Sequence, residues 1–203
     1  MAHPVADDPA DRIRAAHHQI GNSLQSVAGL LRLQGRIAEP GAAGVLFEAS
    51  RRVGVITRLH QRLQGSATSQ VCLADLLGDV CRDVAELDAL DRDAEVRVDI
   101  EPVSVSPVTA SAVAMITAEL LSNALEHGLR ERSGVVAVLL TTAGDGRSAR
   151  LQVSDSGPGP PGGTFVEGFG LSMIMRLAGQ IGAAVERHSH PGGTRFDIRI
   201  PTL

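Results

Sequence analysis

A chain of 203 residues with 43% apolar side chains can bury a sizeable core, but with 2% aromatics and neither Trp nor Tyr that core must be aliphatic. A net charge of -4 argues against a nucleic-acid or anionic-membrane surface. All 19 basic residues are Arg, which closes three Lys-dependent routes: a Walker-A loop, the strand-borne Lys of eukaryotic-type kinases and a pyridoxal Schiff base.

The start, MAHPVADDPADRIR, lacks the basic-then-apolar order of a signal peptide. No run approaches the roughly 18 apolar residues of a membrane span, so the expected location is cytoplasmic. From residue 10 to 36, Ala10, Ile13, His17, Ile20, Leu24, Val27 and Leu31 alternate in steps of three and four, the seam of a bundled helix. Pro40-Gly41 breaks this pattern, and Val45, Ala49, Arg52, Ile56, Leu59 and Leu63 repeat it as far as Gly65. Two such helices make a hairpin that cannot enclose a core alone, so a four-helix bundle formed by two chains is the expected completion, with packing of the hairpin on the chain's own C-terminal half as the alternative.

Gly65 to Ser69 reads as a linker, giving a hairpin domain over 8–66 and a second domain over 70–203. Leu73 to Leu87 predicts a helix. Val96, Val98 and Ile100 alternate with charged residues as in a half-exposed strand. Residues 111–128 predict a helix, 135–142 and 150–153 strands around the turn Gly144-Asp-Gly146, 169–181 a helix, and 184–188 and 194–200 strands. The fold class is α+β, with an N-terminal helical hairpin followed by an α/β sandwich. Cys72 and Cys81, if both were on one helix, would sit about 13 Å apart along its axis, too far for a disulfide. Inert thiols are expected.

The chemistry concentrates in four segments. On the first helix His17 falls on the seam, while His18 falls just off it and shares an exposed side with Asn22. A neutral imidazole is a competent nucleophile near pH 7, so His18 is the candidate phosphate acceptor. In Glu119-Leu-Leu-Ser-Asn123-Ala-Leu-Glu-His127, the residues Glu119, Asn123 and His127 are spaced by four and predict one helix face. Asn123 offers an amide oxygen to Mg²⁺, and Glu119 can orient water or a metal-bound ligand. Asp155 ends a strand, where its carboxylate can accept from an adenine amino group. Gly157 and Gly159 allow close backbone approach, and Gly168 and Gly170 open a helix whose free N–H groups suit phosphates.

Taken in this order, the segments resemble the catalytic core of two-component histidine kinases. The run His18-Gln-Ile-Gly-Asn22-Ser-Leu24-Gln25, followed by Leu30-Leu-Arg-Leu-Gln34, is similar to the class whose dimerisation helix reads H-R-V-K-N-N-L-Q and then L-L-R-L-Q, related to the HWE kinases. The later segments resemble the N box and two glycine boxes of the Bergerat (GHKL) ATPase fold, and Gly193-Thr194-Arg195-Phe196 matches its G-T-x-F-like ending. The resemblance covers roughly residues 10 to 200. It implies phosphorylation of His18, with Asn22 orienting attacking water or the receiver's acyl phosphate. It also implies Mg·ATP held by Asn123, His127, Asp155, Gly157, Gly159, Gly168, Gly170 and Thr194, a homodimer, a possible upstream sensor protein, and transfer to a response-regulator receiver domain.

The chain departs from this pattern at several places. Gln19 stands for Arg, Gly21 for Lys, and Ala15 where an acidic residue often precedes the His; Glu126 stands where many relatives carry Lys. The loop Pro160–Glu167 is short for an ATP lid, although Arg130, Arg132 or Arg176 could contact phosphate. These departures favour one alternative, a histidine phosphotransferase or receiver phosphatase of a phosphorelay that does not use ATP productively. A serine-directed anti-sigma kinase of the same superfamily would not need the histidine hairpin.

Overall fold

A computed structural model describes residues 9–65, 70–88, 94–129, 132–144, 146–159 and 168–202, with the side chains of the first helix described from Gln19 onward. The chain divides into two compact units, Met1–Ala67 and Thr68–Leu203.

The first unit is a helical hairpin, α1 (Pro9–Ile37) and α2 (Pro40–Gly65). Each helix opens on Pro, whose fixed φ and missing N–H suit the first turn, and the Glu39 carbonyl accepts from the Ala42 and Ala43 amides at 2.9 Å. The helices meet through small residues. Gly21, Ala28 and Gly35 of α1 are buried, as are Ser50 and Thr57 of α2. Ser50 Oγ donates to the Ala28 carbonyl at 2.9 Å, and the Phe47 ring occupies the space a side chain at Gly35 would need.

The expected seam is therefore shifted in phase. Ile20 and Val27 are 48% and 45% exposed, and Val45 and Ile56 are 64% and 42% exposed. Small residues, together with Val55, are the buried positions of the hairpin, while Ile20, Val27, Val45 and Ile56 remain exposed. Leu59 and Leu63 fall outside the described side chains, as do His17 and His18, whose inside and outside assignment lies there too.

The second unit is built on a five-stranded sheet of order β2-β4-β5-β7-β6: β2 (Ala94–Ile100), β4 (Gly134–Thr142), β5 (Ser148–Asp155), β6 (Ala184–His190) and β7 (Gly193–Pro201). β2 pairs with β4 in parallel, and the remaining pairs are antiparallel. A separate two-stranded ribbon joins β1 (Val71–Cys72) to β3 (Ser104–Val105). Helices α3 (Leu73–Asp88), α4 (Pro107–Asn123) and α5 (Phe169–Gln180) complete the sandwich. The core is aliphatic: Leu76, Leu77 and Val80 of α3, Ile116 and Leu121 of α4, Val138 and Leu140 of β4, Leu151 of β5, Ile174 of α5, and Ile198 and Ile200 of β7 are all buried. Val98 of β2 is exposed because β2 is an edge strand.

α4 starts four residues earlier than its pattern predicts, because Ser106 caps it: its Oγ accepts from the Thr109 amide at 3.1 Å, and Pro107 opens the first turn. Together with the turn that follows, Pro107–Gly128 is long and apolar enough to cross a membrane by composition, but 72% of its apolar window is buried inside the protein. It is a core helix. Cys72 ends β1 and Cys81 lies on α3, so the two do not share a helix; both are free. Burial pushes the Cys81 thiol up to about 12, which keeps it protonated and inert.

Candidate functional site

The decisive local feature is at the end of α4. Ala124–Gly128 closes as a wide π-helical turn, with the Leu129 amide donating to the Ala124 carbonyl five residues back at 3.0 Å. Such single-turn insertions mark functional positions in many helices. Glu119 is buried and Asn123 half-buried, whereas the His127 side chain is 76% exposed and its Nε2 lies 3.9 Å from Glu126 Oε2. His127 is thus the solvent-exposed member of the three. Glu126, in turn, accepts a hydrogen bond from Ser122 Oγ at 3.3 Å.

The same turn carries Gly128 against Asp155. A Cβ added at Gly128 would lie 2.7 Å from Asp155 Cγ and 2.8 Å from Oδ2, and one added at Gly157 would overlap the Gly128 carbonyl. Only glycines at both positions let the two backbones close on the carboxylate. Asp155 Oδ1 accepts from the Gly157 amide at 2.9 Å, and Thr194, its register partner on β7, donates through its amide and its hydroxyl. Burial raises the Asp155 carboxyl above its ordinary value, partly offset by these donors and by His190. The carboxylate is thus a partly desolvated acceptor held from three sides.

A second cluster adjoins α4. A Cβ at Gly170 would collide with Glu119 Oε1 and approach Asn123 Nδ2 at 3.5 Å, so the first turn of α5 rests against both side chains. Gly168 caps α5 in an extended conformation, and a side chain there would meet open space. Gly159 has φ +71°, a left-handed conformation that disfavours other residues, and packs on the His190 carbonyl in the turn between β6 and β7. The expected lid, Pro160–Glu167, and Arg130 lie outside the described residues; Arg132 and Arg176 are exposed.

The residues present fit a nucleotide with Mg²⁺. Among the described residues no three His, Cys, Asp or Glu side chains form a metal cluster. Mg²⁺ held by phosphate oxygens, water and one amide oxygen needs no such cluster, and Asn123, beside the first turn of α5, carries an amide oxygen of that kind.

Gly128 was not a candidate in the sequence, where its only signal is its place after His127. Gly193, named there as the first residue of the G-T-x-F-like ending, has φ +144° and packs directly on the Asp155 carbonyl.

Residues 16–88 match the family described as histidine kinase (HisKA_2), and residues 109–203 match the histidine kinase-, DNA gyrase B- and HSP90-like ATPase family. The chain belongs to the histidine kinase family. This kinase-family chain is 31% identical, over 93% of its length, to the sensor histidine kinase PdtaS of Mycolicibacterium smegmatis, of which it covers 39%. It is 28% identical to blue-light-activated histidine kinase 2 of Erythrobacter litoralis, over 94% of this chain and 57% of that one. The chain therefore spans only about two fifths to three fifths of these relatives. The histidine kinase domain of the Erythrobacter litoralis blue-light-activated enzyme has the same fold, with a TM-score of 0.72 at 23% identity over 89% of this chain and 96% of that one.

Proposed function

We propose that this chain is a histidine protein kinase core that binds Mg·ATP, phosphorylates His18 and passes the phosphoryl group to an aspartate on a response-regulator receiver domain. The observation that carries the reading is the Asp155 carboxylate, fixed between Gly128, Gly157 and Thr194 in the same unit where Glu119 and Asn123 meet the first turn of α5. In this reading Asp155 accepts from the adenine amino group, and Thr194 holds Asp155 in place. Asn123 holds Mg²⁺, which when bound neutralises phosphate charge. Glu119 orients the attacking group, and Gly157, Gly159, Gly168 and Gly170 bring backbone close to the nucleotide. His127, turned to solvent, serves only the outer rim. Catalysis by such a site is mainly positioning and charge stabilisation.

The reading extends to domains and assembly. The hairpin over 8–66 is the dimerisation and phosphotransfer domain, and 70–203 is the ATP-binding domain. The exposed apolar residues Ile20, Val27, Val45 and Ile56 favour a homodimer, working in the cytoplasm within a two-component system and taking its signal from an upstream sensor segment or protein.

Calorimetry with Mg·ATP and Mg·GTP tests the nucleotide step. Wild type is expected to prefer ATP, and Asp155→Ala to bind about 10- to 100-fold more weakly, the worth of a hydrogen bond to a charged group. Absence of binding at millimolar Mg·ATP, with phosphate still accepted from a phosphorylated receiver, would overturn the kinase reading in favour of the phosphorelay alternative.

A further inference from the structure

Asp155 is the last residue of β5, and the chain must leave the sheet at once for the Gly157 amide to turn back onto Asp155 Oδ1. In an antiparallel ladder a hydrogen-bonded pair exchanges two bonds, each amide donating to the other residue's carbonyl. Val136 faces Asp155 across β4 and β5, so the next pair is Val135 with Ser156. Half of its exchange is regular: the Ser156 amide donates to the Val135 carbonyl at 3.0 Å. The other half is not. The Val135 amide donates to Ser156 Oγ at 2.9 Å, so a side-chain oxygen stands in for the ladder carbonyl.

That substitution decides where the backbone goes. A hydroxyl that satisfies the neighbouring amide releases the Ser156 carbonyl from the ladder, and the chain can bend after Asp155 while the strand end stays pinned to β4. The bend carries Gly157 to the Gly128 carbonyl and to Asp155 Oδ1. Room for the hydroxyl is built into β4: a Cβ at Gly134 would stand 2.8 Å from Ser156 Oγ, and would also crowd Leu129, the residue after the π-turn.

We propose that Ser156 is a positioning residue for base selection: its hydroxyl fixes the exit from β5 and so aims the Asp155 carboxylate that separates adenine from guanine. The proposal rests on the reading of Asp155 as the adenine acceptor, and Ser156 acts through Asp155. Where adenine carries an amino donor, guanine carries a carbonyl acceptor, so a well-aimed carboxylate favours the first and repels the second. Loss of aim therefore weakens ATP binding without weakening GTP binding. Ser156 is exposed, so water can replace its hydroxyl at the Val135 amide. Aim depends on the hydroxyl more than stability does.

Calorimetry on the full chain with Mg·ATP and Mg·GTP reads aim as a ratio of affinities. Ser156→Ala is expected to weaken Mg·ATP binding about 3- to 10-fold, the worth of one hydrogen bond, and to leave Mg·GTP within about twofold of wild type. Ser156→Thr keeps the hydroxyl and restores the preference for ATP. Ser156→Val has the same shape without the hydroxyl and does not, and this pair carries the test if Ser156→Ala fails to fold. Ser106→Ala removes the hydroxyl that accepts from the Thr109 amide at the start of α4, and controls for stability alone: the unfolding midpoint falls and the ratio stays as in wild type. Suppose wild type prefers ATP and Asp155→Ala loses that preference. An unchanged ratio in Ser156→Ala, a Ser156→Thr no better than Ser156→Val, or an equal loss of preference in Ser106→Ala then overturns the proposal alone. A wild type with no preference for ATP, or an Asp155→Ala that keeps it, overturns the adenine reading and this proposal with it.

Discussion

Gly128→Ala separates the stability of the π-turn from the position of the Asp155 carboxylate. Gly128 is not among the residues with positive φ, so alanine fits the backbone and in a helical setting gains about 1 kcal/mol of propensity. Against this, the new methyl would stand 2.7 Å from Asp155 Cγ and 2.8 Å from Oδ2, an overpacking that costs about 1–3 kcal/mol. The net is a loss of about 0–2 kcal/mol, so the unfolding midpoint should fall by no more than about 8 °C. Binding should not be spared. The carboxyl group is the nearest obstacle and must rotate away, giving up its aim at the base. Losing one hydrogen bond to a charged acceptor costs about 1.5–3 kcal/mol, roughly 10- to 150-fold in the Kd for Mg·ATP. Gly168→Ala is the control: its Cβ meets nothing within 4 Å, and its Kd should stay within about twofold of wild type. Calorimetry and thermal unfolding on the same preparations give both numbers. If Gly128→Ala binds Mg·ATP as wild type does while Asp155→Ala loses binding, the close approach of the π-turn does not position the carboxylate.

In the proposed reading Asp155 meets the adenine amino group as a carboxylate, and burial raises this carboxyl above its ordinary value. Mg·ATP affinity should therefore fall as pH drops through that raised value, earlier than for an ordinary carboxylate, and a pH series of Kd values flat to the usual Asp range would contradict it. The same shift works against folding: the penalty for ionising Asp155 is absent below the ordinary carboxylate value and complete above the raised one. Asp155→Asn should accordingly show a smaller decline in unfolding free energy across that window. His18→Gln should abolish labelling by ATP, and His17→Gln should retain part of it; equal loss in two folded variants would count against His18 as the acceptor. Leu24→Glu with Ile56→Glu should yield monomers or unfolded chains by light scattering, because unpaired charge in an apolar contact is costly, and a folded wild-type monomer would remove the basis for the dimer.

The hairpin was legible because its signals are local: apolar steps of three and four, and a Pro-Gly break. Its phase was not. Pattern reading follows large side chains, and here Gly21, Ala28 and Ser50 are buried while Ile20, Val27 and Ile56 remain exposed. The nucleotide motifs were readable as residues, and Glu119, Asn123 and Gly170 do converge, as do Asp155, Gly157 and Thr194. The π-turn was hidden, since one extra residue in a helical turn leaves no mark in composition. The β1–β3 ribbon, with two residues in each strand, is too short to show a period.

The connectivity of the two units has a kinetic consequence. α1 and α2 are sequence neighbours whose contacts close over a two-residue connection, whereas β2 must wait for α4 to be made before Ala94 can pair with Gly134. Local helical pairs form in microseconds to milliseconds, and sheets with distant partners form more slowly. During synthesis the hairpin therefore emerges and closes first, with Ile20, Val27 and Ile56 open to water before the sandwich exists. If the proposed dimer forms through those residues, two nascent chains on neighbouring ribosomes would meet there while their sheets are still incomplete, and assembly would begin before folding ends.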